Sequence, residues 1–527
     1  MTLLRDFQIE MRDMVQAAWD IGLRNVLAVL PTGAGKTVLF SHIVAHSGGH
    51  CVVIAHRQEL VMQISLALAS NGVRHKVLAP ASVARVCVNQ HITELGKNYV
   101  DPLATTVVAG VDTLVRCPSH EPWLANIRLV VQDEAHHILR DNKWGKAFTL
   151  FPNARLLGVT ATPVRADGNG LGAHADGVMH HMIVGPTMRE LITRGWLTEY
   201  RIFAPKSDIN LADVPMSAGG DYSPIKLADA VHKSHIVGDV VSHYLRIAAG
   251  KLGVTFAVDV ASAGELAAAY RAAGVPAEVV SAKTPDAMRA AILRKFKRRE
   301  VLQLVNVDLF GEGFDLPAIE VVSMARPTAS FGLYCQQFGR ALRLMEGKKY
   351  AIIIDHVSNV HRHGLPDAVR PWTLDRRERR GKNDTQSTIP VRTCPNCTAA
   401  YERIYSSCPY CNHYVEPAGR TSPESVDGDL HELTPDALAL LRGAIDAPAA
   451  YHPDPIVSAT VAKRPREKAE AQVELRAAMS VWGGMRTEAG DTLAMAQRRF
   501  YHTYGVDVAT AQTLNAREAR ELMGRLI

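Results

Sequence analysis

Leu30-Pro31-Thr32-Gly33-Ala34-Gly35-Lys36-Thr37 decides how the rest of the chain is read. The apolar run Val26 to Leu30 before it reads as a buried strand, and Val38 to Ala45 after it reads as a helix. A strand, a glycine-rich loop, a Lys-Thr pair and a helix in this order form a phosphate-binding loop. Gly33 and Gly35 let the backbone turn its N–H groups inward around an anion. The helix beginning near Lys36 adds its positive end. Lys36 is expected to neutralise the β and γ phosphates of ATP, with Thr37 offering its hydroxyl to Mg²⁺. Thr32, Gly33, Ala34 and Gly35 complete the cradle.

Outward from this loop, short apolar runs alternate with helical patterns. Cys51–Ala55, Thr106–Ala109, Leu129–Gln132 and Leu156–Thr160 join Val26–Leu30 as strands of one parallel sheet covered on both faces. Between them, Leu60, Val61, Ile64 and Leu68 fall on one face of a helix over Gln58–Ser70, the pattern of a core face. Asp133-Glu134 ends the fourth of these runs, at the sheet edge where ligands bind in open α/β folds. Asp133 is placed to hold Mg²⁺ and Glu134 to polarise the attacking water. The alternation resumes after Lys251, with strands at Val254–Val258, Ala277–Ser281, Val301–Val307 and Tyr350–Asp355, and helices at Ala261–Ala273 and Pro285–Arg299. This second sheet has no phosphate loop of its own.

The motifs resemble those of the superfamily 2 helicases of the DEAD/DEAH-box type. Thr32–Thr37, Asp133-Glu134-Ala135-His136 and Thr160-Ala161-Thr162-Pro163 look like motifs I, II and III. Leu4-Arg5-Asp6-Phe7-Gln8 is similar to the superfamily's opening motif, which implies that Gln8 and Arg5 contact the adenine. Ala55–Leu60 resembles motif Ia and Gly110–Leu114 motif Ib, which makes Arg57 and Thr113 candidates for nucleic-acid phosphate contacts. Asn306–Pro317 resembles motif V, with Gly313 and Asp315 as its core. Val307 stands where many relatives have Thr. Gln336-Gln337-Phe338-Gly339-Arg340-Ala341-Leu342-Arg343 matches motif VI. Spacings of four and three put Gln336, Arg340 and Arg343 on one helical face. There the two guanidinium groups can reach the γ-phosphate across a cleft. The resemblance thus implies a split catalytic set of Lys36, Asp133, Glu134, Gln336, Arg340 and Arg343.

The run Val164–Gly172 after motif III is glycine-rich and expected to be mobile, and it matches the RadD-like and phage-type branch. His174, His180 and His181 behind it read as polar loop residues rather than a metal site. The segment Thr193–Asp221 reads as a connector carrying little chemistry, with one strand near Tyr200–Ala204. Six basic residues, Arg289, Arg294, Lys295, Lys297, Arg298 and Arg299, mark a helix that either tracks a phosphate backbone or is a solvated face.

Cys394-x-x-Cys397 and Cys408-x-x-Cys411 are two knuckles separated by ten residues, the pattern of a Cys₄ Zn²⁺ ribbon. The helices expected after it are Thr434–Ile445, Pro465–Trp482, Thr492–Tyr504 and Ala516–Ile527. The cluster Arg498-Arg499-Phe500-Tyr501-His502 suits either core packing or stacking on a single strand.

The expected class is α/β: two tandem RecA-like parallel-sheet domains, then a small zinc ribbon and a helical C-terminal region. The expected boundaries are 1–205 and 236–365 for the two motor domains, with a connector at 206–235. A basic linker follows at 366–392, the ribbon at 393–415 and the helical part at 430–527. The 527-residue length exceeds one core, and a net charge of +6 favours a polyanionic partner. Arg5, Asp6, Glu10, Arg12 and Asp13 interrupt any signal-like run, and no apolar run is long enough to span a bilayer. The expected setting is therefore cytoplasmic, on the nucleoid or in the host cytoplasm if phage-encoded, with no membrane partner. The expected function is a DNA helicase or translocase of DNA repair, recombination or replication. Its partners would be DNA, with RNA not distinguished, and single-strand-binding or other repair and replication proteins. Alternatives are the motor subunit of a restriction system, an RNA helicase, and a zinc-ribbon recruitment protein without catalysis.

Overall fold

The computed structural model describes residues 3–119, 121–205, 209–211, 213–217, 219–232, 236–307, 319–376, 391–415 and 455–526. The chain divides into two compact units: Met1–Asp384 with Thr398–Ala400, and Thr385–Cys397 with Tyr401–Ile527.

The first unit holds two parallel sheets. The first contains β1 (Asn25–Val29), β2 (Cys51–Ala55), β3 (Lys76–Leu78), β4 (Val107–Gly110), β5 (Leu129–Asp133), β6 (Arg155–Thr160) and β7 (His181–Val184). Their spatial order is β3-β4-β2-β5-β6-β1-β7. Every residue of β1, β2 and β5 is buried, as expected of uninterrupted Val/Ile/Leu/Ala runs covered by helices on both faces. Helix Gln58–Ser70 buries Leu60, Val61, Ile64 and Leu68 as its periodicity requires. The second sheet contains β8 (Tyr200–Phe203), β9 (Gly253–Phe256), β10 (Ala277–Ser281), β11 (Gln303–Val307), β12 (Val321–Met324) and β13 (Ala351–Asp355). Its order is β10-β11-β9-β12-β13-β8. Tyr200–Phe203, read from the sequence as a strand within a connector, pairs in parallel with Ala351–Ile354 and forms one edge of this second sheet.

The register places the chemistry. Asp133 pairs with Val159, and Val29 pairs with Thr160, so β6 alone separates the strand ending in Asp133 from the strand feeding the glycine loop. All three strands deliver their next residues to the same C-terminal edge. Gly158 of β6 lies beneath this edge. A Cβ there would stand 2.8 Å from the Ala135 Cβ, 2.6 Å from Met179 Cε and 3.0 Å from Leu27 Cδ1.

The second unit contains a two-stranded sheet, β14 (Val391–Thr393) with β15 (Ala400–Glu402), and helices Pro455–Glu488, Leu493–Tyr504, Val508–Ala511 and Ala516–Leu526. Leu475, Phe500 and Leu522 pack a small core with Trp482 and Tyr504 at its border. The long helix extends ten residues before Pro465, where the proline was expected to open it. The expected helix Thr434–Ile445 lies outside the described residues. Among the described residues no helix is long and apolar enough to cross a membrane.

Gly158→Ala tests how tightly the sheet supports the site edge. The added methyl should cost about 1–3 kcal/mol through overpacking. A thermal melt should move down by several degrees, and an unchanged transition would show that the layer beneath Asp133 has slack.

Candidate nucleotide site and nucleic-acid face

Gly33 and Gly35 have φ of 88° and 84°, in the left-handed region that glycine alone enters freely. Gly35 precedes the helix Lys36–His46, so Lys36 and Thr37 occupy its first turn, both half-buried. A Cβ on Gly35 would come within 2.6 Å of Gln8 Nε2. That contact identifies what holds the loop. Helix Asp6–Asp20 buries Phe7, Met11 and Val15, and Gln8 goes in beside them, 1% exposed. Its amide donates to the carbonyls of Ala34 (3.0 Å) and Gly35 (3.2 Å), and its Oε1 accepts from Arg5 N (3.0 Å). With both N–H donors on the loop, Gln8 has only Oε1 left to offer a base. The Arg5 guanidinium lies over the Trp196 ring at 4.6 Å, and burial holds its pKa below the usual value.

Asp133 and Glu134 are 6% and 7% exposed. Asp133 Oδ1 accepts from Glu134 N (2.9 Å), and Glu134 itself takes φ 48°, turning the chain sharply at the end of β5. His136 links this turn to the next strand. Its Nδ1 lies 3.0 Å from Thr160 Oγ1 and 3.4 Å from Glu134 Oε2, and Thr160 Oγ1 donates to Thr162 O (3.1 Å).

The glycine-rich run after Thr162 is anchored rather than loose. Arg165 donates to His136 O (2.8 Å) and chelates Asp167. Burial works against the Asp167 carboxylate, yet Arg165 and the Asn169 N–H hold it below its usual range. Gly170 N donates to Asp176 (3.0 Å), Gly172 N to Leu374 O (2.8 Å), and Arg376 pairs with Asp176. Leu374 packs on the core of the first sheet, and His174 bonds Asp375 at 2.7 Å. The segment leaving the second sheet therefore straps back onto the first. Among the described residues only the four ribbon cysteines form a metal-capable cluster, and the three loop histidines do not.

The second sheet brings helix Phe331–Gly339 against the loop. A Cβ on Gly339 would lie 2.5 Å from the Thr32 Cβ, and one on Gly33 would lie 3.0 Å from Leu197 Cδ2 and 3.9 Å from Arg343 Cγ. Thr32 Oγ1 is buried with no hydrogen-bond partner among the described residues, an orphan suited to a ligand in this cradle. Gln336 and Arg340 are 3% and 6% exposed. Burial pushes the Arg343 guanidinium down to about 10. The expectation that Gln336, Arg340 and Arg343 share one helical face needs correction. The helix ends at Gly339 with Arg340 as its C-cap, and Arg343 stands in the turn beyond. Beyond the helix end, the carbonyls are bonded from outside the helix. Thr198 N and Oγ1 bond the carbonyls of Leu342 (2.8 Å) and Arg343 (3.1 Å), while Lys348 Nζ bonds those of Ala341 and Arg343.

Beside this contact lies a cleft of about 240 Å³ lined from both sheets by His136, Arg165, Asp221, Ser330, Leu333 and Gln336, among others. Asp221 fixes its far wall by accepting from Thr328 Oγ1 (3.0 Å) and Ala329 N (2.7 Å). Leu197, Thr198 and Asp221 all come from the segment read as chemically quiet. No local pattern marks them, since their roles depend on partners more than a hundred residues away. Gly313 and Asp315 lie outside the described residues.

Arg57 and Thr113 stand just past the C-terminal ends of β2 and β4, which are adjacent strands with Ala55 opposite Gly110. Both are half-buried. The basic helix divides in two. Arg289 is buried against Glu59 (2.7 Å) across the two sheets, and Arg299, just past the helix, pairs with Glu320 (2.9 Å). Arg294, Lys295, Lys297 and Arg298 remain exposed.

In the second unit, the sulfurs of Cys394, Cys397, Cys408 and Cys411 lie within 4.8 Å of one another, with Cys394–Cys411 at 3.7 Å and Cys397–Cys408 at 3.6 Å. A tetrahedron with ~2.3 Å metal–sulfur bonds has edges of about 3.8 Å, so the set fits a thiolate-bound ion. Backbone hydrogen bonding at His413 brings the Cys411 thiol down to about 6, toward the thiolate a metal requires.

The family described as "Type III restriction enzyme, res subunit" matches residues 2–165, and "Helicase conserved C-terminal domain" matches 239–345. A "51.5 kDa protein" of a Lactococcus phage is 31% identical over 387 residues, covering 73% of this chain and 76% of that protein. "Putative ATP-dependent helicase IRC3" of Saccharomyces cerevisiae is 29% identical over 374 residues, covering 67% of this chain and 51% of the yeast protein. The chain thus spans about half the length of that relative. "The fragment structure of a putative HsdR subunit of a type I restriction enzyme" from Vibrio vulnificus superposes with a TM-score of 0.50 at 19% identity, covering 70% of this chain and 67% of that one, a likeness of fold. The two matched regions hold the glycine loop and the Arg340 helix that meet at Gly339, and together with the phage relative they place the chain in the superfamily 2 helicases, as an ATP-dependent helicase.

Proposed function

We propose that this helicase hydrolyses ATP between its two sheets to move along DNA in repair, recombination or replication. The observation that carries the reading is the contact of Gly339 with Thr32, which puts Arg340 and Arg343 beside the loop that ends in Lys36. Lys36 neutralises the β and γ phosphates. Thr37 and Asp133 hold Mg²⁺, which when bound screens the charge on the phosphate oxygens. Glu134 takes the proton of the attacking water, oriented by His136 at 3.4 Å, which Thr160 holds in turn. Arg340 and Arg343 oppose the charge that develops on the γ-phosphate. Gln8 keeps the cradle in shape from behind.

Arg57 and Thr113 supply phosphate contacts on the face above β2 and β4. A strand lying there would run from the first sheet toward the exposed lysines and arginines after Arg289. The Cys₄ set holds Zn²⁺ as a structural ion. A second reading, the motor of a restriction system, is favoured by the family description matched over residues 2–165. It predicts that a nuclease-bearing partner co-purifies, which the repair reading does not require.

Three measurements check this reading. Glu134→Gln should lower DNA-stimulated ATP hydrolysis by at least ~100-fold while ATP binding persists; a wild-type rate would remove Glu134 from the role of base. Gly339→Val should push the two sheets apart at Thr32 and reduce kcat about tenfold or more through misplacement of the arginines. Its thermal transition should stay in place, and an unaltered kcat would mean that closure does not run through this contact. Purified protein should contain one zinc per chain, and Cys394→Ala should lose it; retained metal would point to a different ligand set.

A further inference from the structure

The ribbon and the helices of the second unit meet at a cationic patch that the motor does not use. Arg392 Nη2 donates to Arg403 O (2.9 Å), and Arg498 Nη1 of helix Leu493–Tyr504 donates to Ile404 O (3.1 Å). Two guanidinium groups from different elements thus converge on consecutive carbonyls, and the side chain of Arg403 stands exposed at the same place. Among the described residues, no carboxylate pairs with any of the three. The neighbouring acids are already engaged: Glu402 by Arg499 (3.2 Å), and Asp491 by Arg486 (2.7 Å) and Arg499 (3.1 Å). His502 lies within the field of all three arginines, and burial followed by Arg403, Arg392 and Arg498 keeps its imidazole below the ordinary value.

Aromatic rings border the charge. Tyr501 is 51% exposed, one helical turn from Arg498 and therefore on its side of the helix. Tyr405, 38% exposed, follows Ile404 directly. The adjacent Phe500 is 1% exposed and packs with Trp482 and Tyr504. The Arg498–His502 cluster therefore does two jobs, Phe500 anchoring the helix and Arg498 and Tyr501 facing outward. Uncompensated guanidinium groups beside exposed tyrosine rings match a polymer with a phosphate repeat and unpaired bases. A duplex would hide its base faces, and an acidic peptide would leave the rings unused.

The structure assigns to Arg392, Arg403, Arg498 and Tyr501 a second nucleic-acid contact, on the ribbon–helix seam of the second unit, that takes a single-stranded polynucleotide. The inference borrows from the proposed function only the identity of the polymer.

The test uses the full-length protein with labelled oligo(dT) and oligo(rU), read by fluorescence anisotropy without nucleotide over a range of KCl. Among the described residues the Arg403 side chain makes no hydrogen bond or ion pair, so Arg403→Ala should leave the fold and metal content unchanged. It should reduce the slope of log affinity against log salt by about one for the polymer that wild type binds. Adding Tyr501→Ala should weaken binding about tenfold in total, with the ATPase kcat at saturating polynucleotide unaltered. Unchanged affinity and salt slope in both variants would overturn the assignment, as would a loss confined to ATPase. Failure of the motor reading looks different: wild type would bind the oligonucleotide without any rise in ATP hydrolysis, and the variants would still lose that binding.

Discussion

The absence of a side chain at Gly339 is the constraint on which the motor depends. The helix carrying Gln336 and Arg340 can approach the glycine loop only because nothing projects from Gly339 toward Thr32. The loop accepts that approach only while Gln8 keeps its carbonyls turned away from the cradle. The loop and the segment carrying Arg340 and Arg343 thus meet from different sheets, and under the proposed mechanism the charge on a transferring phosphoryl group would be opposed only while the two are together.

The same logic explains the supporting contacts. Asp133 and Glu134 are buried acids at a strand end, an expensive arrangement unless cations and donors face them. His136, held by Thr160 and Arg165, is one such donor, and it also joins the cleft lined by Gln336. A displacement of the Arg165 loop would therefore be felt at Glu134 through the Arg165–His136 hydrogen bond and the 3.4 Å approach of His136 to Glu134. The Glu59–Arg289 pair closes the opposite margin, beside Arg57, so a strand entering there meets an ion pair that already spans the two sheets.

Much of this was legible in the sequence because the signals were local. Apolar runs identified the buried strands β1, β2 and β5, and the spacing of glycines, acids and arginines picked out the loop and the helix that the fold brings together at Gly339. The edge strands were harder. His181–Val184 mixes polar with apolar residues because part of it faces solvent and does not read as a strand, and Tyr200–Phe203 reads as a strand with nothing to say which sheet it joins. The end of the Arg340 helix was not legible at all. Its spacing favoured another turn, whereas the segment past Gly339 is bonded by Thr198 and Lys348, contacts that exist only once the chain has folded. The hold of Gln8 on the loop was not legible for a similar reason: a side chain buried against a loop 26 residues away carries no local mark of it.

The strap formed by Leu374, Asp375 and Arg376 has a mechanical consequence. The chain passes from the first sheet to the second near Thr198 and returns to the first at Leu374, so the lobes are joined twice. Two tethers make each lobe a permanent ligand of the other at high effective concentration. They also restrict opening to rotation about the line between the tethers, much as two hinges on one door leave a single degree of freedom. Opening and closing of the cleft at the phosphate loop are then confined to one arc.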